Sequence, residues 1–378
     1  MAYFDHAATT PMRQSAIDAW VEHAGALNPG GQYKSGRAAN CALTDARESI
    51  AAALGAQPTE VIFVSSGTEA DNVAIRGLYR TAVKSSGLTR VVSSPIEHAA
   101  VLETVKSLGA EEGAEVKWLP VGSDGVVADA AVLDEPAAVA TCMLANNETG
   151  VVQPVAELAE RASRVGTAFH VDAVQAVGKI PVDFHALGVT TLAASAHKFG
   201  GPRGTGILLA KRSPAPLPLI IGGGQERGIR SGTVDVASAV ATAVALAEAV
   251  EEMEGEREVV DKLRTKLIRG IIENVPETTV TVDGNVLPGH VHFLFPGASG
   301  DAMIMLLDSK GIEASTGSAC SAGVSRMSHV LDAMGVGTRE GMGALRLTLG
   351  RTTTEEEVDF LIRELPAIVE RARVAGAL

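Results

Sequence analysis

The chain has 378 residues, enough for two or three domains and a large core, and its 46% apolar and 20% charged residues exclude bulk disorder. A formal charge of −13 and only 3% aromatics argue against a nucleic-acid surface, which needs a basic face and stacking rings. No run approaches the ~20 apolar residues of a membrane span, and the start, Met1-Ala2-Tyr3-Phe4-Asp5-His6, has no basic-then-apolar leader.

Short apolar runs at 61–65, 90–93, 116–119, 139–144, 168–172, 191–195 and 205–209 read as strands. Helix-period segments at 68–83, 98–108 and 155–165 lie between them, the last after Pro154, a favoured first helical residue. This alternation predicts an α/β fold with a large, mostly parallel seven-stranded sheet. In such sheets ligands sit beyond the carboxyl ends of the strands, so the residues just after each strand matter most. From 236 to about 272 the chain reads as one long helix or two. Strand patterns at 279–282, 290–295 and 344–349, with helices over 301–307 and from 354, predict a smaller α+β unit. The expected division is 12–255 for the large domain, and 1–11 with 256–378 for the small one. Gly317-Ser318-Ala319-Cys320-Ser321-Ala322-Gly323 is small and polar, the composition of an exposed mobile loop.

Three cysteines, Cys41, Cys142 and Cys320, are too few and too scattered for a disulfide framework, and suit a reducing cytoplasm. With no CxxC or HxxxH pair, no metal site is expected. Cys142 lies in an apolar strand and reads as core; Cys41 lies on a helix-like segment with no supporting motif.

Lys198 directly follows an apolar strand, in Ser195-Ala196-His197-Lys198-Phe199-Gly200-Gly201-Pro202. It reads either as a solvated strand-end residue or as a Schiff-base lysine, which needs partial burial and a neighbouring cation. Asp172, in His170-Val171-Asp172-Ala173-Val174-Gln175, ends a second apolar strand, where a carboxylate is often a cap or turn residue. A lysine and an aspartate on neighbouring strand ends can, however, clasp opposite sides of one aromatic cofactor. Pyridoxal phosphate takes a lysine at its aldehyde carbon and a carboxylate at its ring nitrogen.

Ser65-Ser66-Gly67-Thr68-Glu69-Ala70 is a strand, a turn of small residues and a helix start. Its free N–H groups and helix dipole suit a phosphate, although any helix cap looks similar. It is neither a GxxxxGK[ST] loop nor a GxGxxG fingerprint. His98 also follows a strand, as a surface helix-start residue or as a ring stacked on a planar cofactor. Asn146-Asn147-Glu148-Thr149-Gly150 is a turn by composition whose amides could bond a cofactor hydroxyl.

With these motifs in order stand Asp5-His6-Ala7-Ala8-Thr9-Thr10-Pro11, Glu97-His98, Gly222-Gly223-Gly224-Gln225-Glu226-Arg227, Arg230-Ser231-Gly232-Thr233 and Ser315-Thr316-Gly317-Ser318-Ala319-Cys320. Nearly end to end, the chain resembles the cysteine desulfurases, in the class-V aminotransferase branch of fold-type-I pyridoxal-phosphate enzymes. The resemblance implies that Lys198 carries the cofactor, Asp172 pairs with the ring nitrogen, and His98 stacks on the ring. Asn147 and Gln175 would contact the ring hydroxyl, while Thr68, Ser195 and His197 would hold the phosphate. Thr233 would reach the phosphate of a second subunit, which implies a homodimer. Arg346 would grip the substrate carboxylate, a bidentate task suited to a guanidinium, with Asn28 nearby. Cys320 would accept the sulfur, its small neighbours leaving a thiol open to exchange.

The chain departs from the family in two places: His6 stands where many relatives carry Asn, and Gln32-Tyr33-Lys34-Ser35 replaces the usual Ser-x-His region. The Gly-Ser-Ala-Cys loop is the kind seen in the group with the longer mobile loop; the Arg-x-Gly-His-His-Cys pattern of the other group is absent. The expected reaction converts L-cysteine to L-alanine, leaving a persulfide on Cys320 for an iron–sulfur scaffold or another sulfur-acceptor protein. The rivals are a selenocysteine lyase or other β-elimination enzyme, an aminotransferase, and a non-catalytic adaptor on the same fold.

Overall fold

In the computed structural model, which describes residues 1–317 and 327–376, the chain opens with β1 (Ala2–Tyr3), α1 (Gln14–His23) and α2 (Lys34–Ala53). Next come β2 (Val61–Val64), α3 (Gly67–Ser86), β3 (Arg90–Ser93), α4 (Ala99–Glu112), β4 (Glu115–Trp118) and β5 (Val139–Thr141). They are followed by α5 (Val155–Arg164), β6 (Phe169–Asp172), β7 (Thr191–Ser195) and β8 (Gly206–Ala210). The 39-residue α6 (Val236–Asn274) leads to β9 (Thr279–Val280), β10 (His290–Leu294), α7 (Gly300–Asp308) and β11 (Ile312–Glu313). The chain closes with α8 (His329–Ala333), α9 (Thr338–Gly341), β12 (Ala344–Thr348) and α10 (Glu355–Gly376).

Strands β2 to β8 form one sheet in the order β2-β8-β7-β6-β5-β3-β4. Every residue of β5, β6, β7 and β8 is buried, which is why these segments are short continuous apolar runs instead of alternating ones. All pairings are parallel except those of β8, which runs antiparallel to both β2 and β7. The link from Ser195 to Gly206 is too short for the crossover that a parallel pair demands, so the chain turns back on itself.

Strand β5 is shorter than the predicted 139–144, because Met143 gives its N–H to a carboxylate oxygen of Glu97 at 2.8 Å and not to the ladder. Helices α1 and α2 carry little sequence signal: the buried stripe of α2 is mostly Gly and Ala (Gly36, Ala39, Ala46, Ala51), with Leu43 and Ile50.

A second core gathers Phe4, Phe293, Phe295, Met303, Leu345, Leu347, Leu361 and Leu365. Its framework is the antiparallel sheet β12-β10-β9 and the parallel pair of β1 with β11. Helix α6 joins the two cores: its residues to Ala249 pack in the first, and those from Val260 pack in the second. No helix among the described residues is long and apolar enough to cross a membrane.

Candidate active site

The carboxyl ends of β6 and β7 bring Asp172, Ser195, His197 and Lys198 to one cavity of about 220 Å³. Ser66, Gly67, Thr68, His98, Asn147 and Gln175 complete most of its wall. A second, larger cavity shares Lys198, His98, Asn147 and Gln175, and adds Ala7, Ala8, Ser315, Gly317 and Arg346. Eleven of the twelve residues singled out from the sequence, all but Cys320, lie among the described residues, and eight border the smaller cavity. Those eight are Lys198, His98, Thr68, Asn147, Asp172, Gln175, Ser195 and His197; Arg346 borders the larger one.

Asn28 and Thr233 are exposed and border neither cavity in a single chain. The segment bearing Thr233 is nonetheless tied to the start of α3 by Arg230, whose Nε donates to Glu69 at 2.9 Å. Cys320 lies outside the described residues; Gly317 and Met327, which flank that stretch, both border the larger cavity. Cys142 is fully buried in the first core, where burial pushes its thiol up, and Cys41 is exposed on α2.

The opening of α3 is built for an anion. Ser66 caps the helix by accepting from the N–H of Glu69 at 3.1 Å, which leaves the first amides uncommitted within the helix. Strand β8 comes so close beneath this turn that a Cβ on Gly206 would meet the carbonyl carbon of Ser66 at 2.4 Å. Only glycine lets the turn sit there, with Ser66, Gly67 and Thr68 in the cavity wall. Amides and a helix N-terminus, an amine and a carboxylate in one cavity match the phosphate, the aldehyde and the ring nitrogen of pyridoxal phosphate, so the donor set fits that cofactor.

Lys198 donates through Nζ to the carbonyls of Ala7 and Ala8, at 2.5 and 2.9 Å. Burial, then the nearby Arg346 guanidinium, lower its pKa to about 8, against the pull of Asp172 and Asp5. Such an amine has an appreciable neutral fraction near neutrality, as a nucleophile and proton carrier must. Asp172 accepts from the N–H of Val174 at 2.9 Å; burial raises its pKa, while His98, that N–H and Lys198 oppose the rise. Burial lowers the pKa of His98, with Asp172 opposing. Burial, then Lys198, bring His197 down to about 4, so it is neutral when it meets the Thr9 hydroxyl at 3.1 Å.

Behind Asp172, His170 contacts Asp71 at 3.1 Å and the Thr191 hydroxyl at 2.9 Å. Burial pulls His170 down to about 3 and pushes Asp71 well up, so this contact is a hydrogen bond and not an ion pair. Arg346 is buried, donating through Nη1 to the carbonyl of Asn147 at 2.9 Å and through Nη2 to Asp5 at 2.5 Å.

The sequence reading passed over the part played by residues 5–10. Asp5 holds Arg346, the Ala7 carbonyl receives both Lys198 and Gln175, and Thr9 meets His197. The N–H of Thr10 also donates to the His197 carbonyl at 3.0 Å. Most of this work is done by backbone atoms, which leave no mark in residue type.

The chain matches the class-V aminotransferase family over residues 2–361. This chain belongs to that family. Among its relatives is an "IscS-like cysteine desulfurase" of Mycobacterium tuberculosis, 45% identical over all of this chain and 98% of the relative. A solved "NIFS-like protein" superposes with a TM-score of 0.90 at 36% identity, covering 98% of this chain and all of the other. A second solved structure, "SspA in complex with cysteine", has a TM-score of 0.80 at 29% identity over 94% of this chain and all of the other. Class-V aminotransferases and the cysteine desulfurases among them are pyridoxal-phosphate enzymes, and the expected α/β fold with its seven-stranded sheet is the one observed.

Proposed function

We propose that this chain is a pyridoxal-phosphate-dependent cysteine desulfurase, taking sulfur from L-cysteine, releasing L-alanine and holding the sulfur as a persulfide on Cys320. The observation that carries this reading is the meeting of Lys198 and Asp172 in one cavity, with Arg346 in the cavity that adjoins it. The curated relative's name supports the reaction, and the cysteine-bound neighbour supports the substrate.

The bound cofactor supplies an electron sink for the substrate α-carbon. Asp172 holds the proton of the ring nitrogen. Thr68, Ser195, His197 and the first amides of α3 bind the phosphate, while Asn147 and Gln175 address the ring hydroxyl and His98 covers the ring. Arg346, which borders the larger cavity, binds the substrate carboxylate. Lys198, lowered toward neutrality, takes the α-proton and later returns a proton to carbon. The Cys320 thiolate attacks the substrate sulfur, so a sulfur–sulfur bond forms as the carbon–sulfur bond breaks, with both electrons of that bond going to carbon. Carbon is reduced to the methyl of alanine, sulfur is oxidised to the persulfide level, and His98 can carry the thiol proton.

In this reading Thr233 completes the phosphate site of a second copy in a homodimer, and a sulfur-acceptor protein such as an iron–sulfur scaffold receives the persulfide. The protein works in the cytoplasm. The division at 12–255, against 1–11 with 256–378, is supported by the separate cores that α6 connects.

Incubation with pyridoxal phosphate and L-cysteine, assaying alanine and sulfide together in the presence of a thiol reductant, should yield equal amounts of both. Cys320→Ala should abolish sulfide yet retain the visible band of bound cofactor, and Lys198→Ala should lose that band and about 10²–10⁴-fold of the rate. Amino-group transfer surviving in Cys320→Ala would favour a transaminase, and strong preference for selenocysteine a lyase.

A further inference from the structure

We propose that Lys179 is a positioning residue that sets which face of the Gln175 amide looks into the active site; this rests on the function proposed above. Lys179 follows β6 in the turn that also carries Gln175, and its Nζ donates to Gln175 Oε1 at 3.2 Å. At its other end the amide donates from Nε2 to the Ala7 carbonyl at 2.9 Å. A carbonyl oxygen can only accept, so the Ala7 end must be the amino end, and the lysine must face the amide oxygen. The amide is therefore locked from both sides.

The lock leaves one N–H of Nε2 for the two cavities that Gln175 borders, and assigns its oxygen elsewhere. Gln175 thus meets a ligand as a donor. It suits the cofactor's ring oxygen in its anionic form, and opposes a reversed amide that would present an acceptor to it. The same Ala7 carbonyl receives Lys198 at 2.5 Å, so the two lysines share one hydrogen-bonded chain, Lys179–Gln175–Ala7–Lys198.

Lys179 itself borders neither cavity of the site. It lies in a small pocket of about 40 Å³ behind Lys198, with His6, Glu256 and Arg351. An amine buried next to another lysine is unfavourable by desolvation and by like charge, and an apolar side chain would fill the space without either penalty. The fixed orientation of Gln175 is what the amine contributes to cofactor binding.

The test is titration of the full-length, cofactor-stripped chain with pyridoxal phosphate, recording affinity and the absorbance spectrum of the bound form. Lys179→Met should weaken binding about tenfold, the loss of one hydrogen bond to a charged oxygen, and shift the balance of the cofactor's absorbance bands. Lys179→Arg, which restores the donor, should return both toward wild type. In a Gln175→Ala background, Lys179→Met should add less than about twofold. Wild-type affinity and spectrum in Lys179→Met, or an undiminished effect in the Gln175→Ala background, overturns the proposal and leaves the desulfurase reading intact. Failure of the wild-type chain to take up the cofactor overturns both. If Lys179→Met does not fold, Gln175→Glu serves: it keeps an acceptor for Lys179 but has no N–H, so affinity should fall, and unchanged affinity again overturns the proposal.

Discussion

His6 stands at one of the two places where the sequence departs from the pattern it resembles, and folding makes it a neutral group there. Its ring is 2% exposed and meets the Thr10 hydroxyl at 2.7 Å. Burial, then Lys179 and Arg351, lower its pKa from 6.5 to about 4, so in the folded protein it is a neutral polar group, as Asn would be. Because the folded pKa lies below the unfolded one, the unfolded chain binds the extra proton as pH falls, and stability is lost from about 6.5 down to about 4. His6→Asn removes that dependence. Between pH 7 and 4.5 the wild type should lose roughly 2–3 kcal/mol more than the variant in denaturant unfolding; parallel slopes would rule out this ionisation. Lys198 is governed by the same balance of burial and neighbours, with opposite charges on Asp172 and Asp5 keeping its pKa from falling further.

The elements around the site are shaped by close backbone approach. Strand β8 can lie beneath the first turn of α3 only because residue 206 has no side chain: a Cβ would meet Ser66 carbonyl carbon at 2.4 Å and Gly67 nitrogen at 3.0 Å. Neither is a flexible group that can swing aside. Gly206→Ala should therefore displace the turn, at about 1–3 kcal/mol of stability. Inorganic phosphate should raise the melting temperature of the wild type and have little effect on the variant. An equal phosphate-dependent rise in both would show that this turn is not where the phosphate binds.

Across the whole molecule, α6 is the member that both cores share. Between its last residue in the first core, Ala249, and its first in the second, Val260, most side chains are exposed. Gly255 stands in that stretch, helical, exposed, and with no atom within 4 Å of where a Cβ would be. Gly255→Ala should stabilise the bridge by about 0.5–1 kcal/mol by lowering the entropy of the unfolded chain. Amide exchange across 250–259 should slow by up to about fivefold; unchanged exchange would mean that this stretch does not open on its own. The larger active-site cavity lies between the two sheets, bordered by Lys198 after β7 of the first and by Arg346 on β12 of the second.

The amino-acid sequence by itself determined the layering and the chemistry of the side chains. Buried strands announce themselves as short apolar runs, and Asp172 and Lys198 stand out because a charge at the end of such a run must have a partner or a purpose. Tertiary structure alone decided what reaches those side chains. The carbonyls of Ala7 and Ala8 meet Lys198 from nearly two hundred residues away. The small-residue stripe of α2 and the role of Lys179 were equally hidden. Backbone acceptors are the same in every residue, and a buried cation has meaning only through the atoms that folding sets against it.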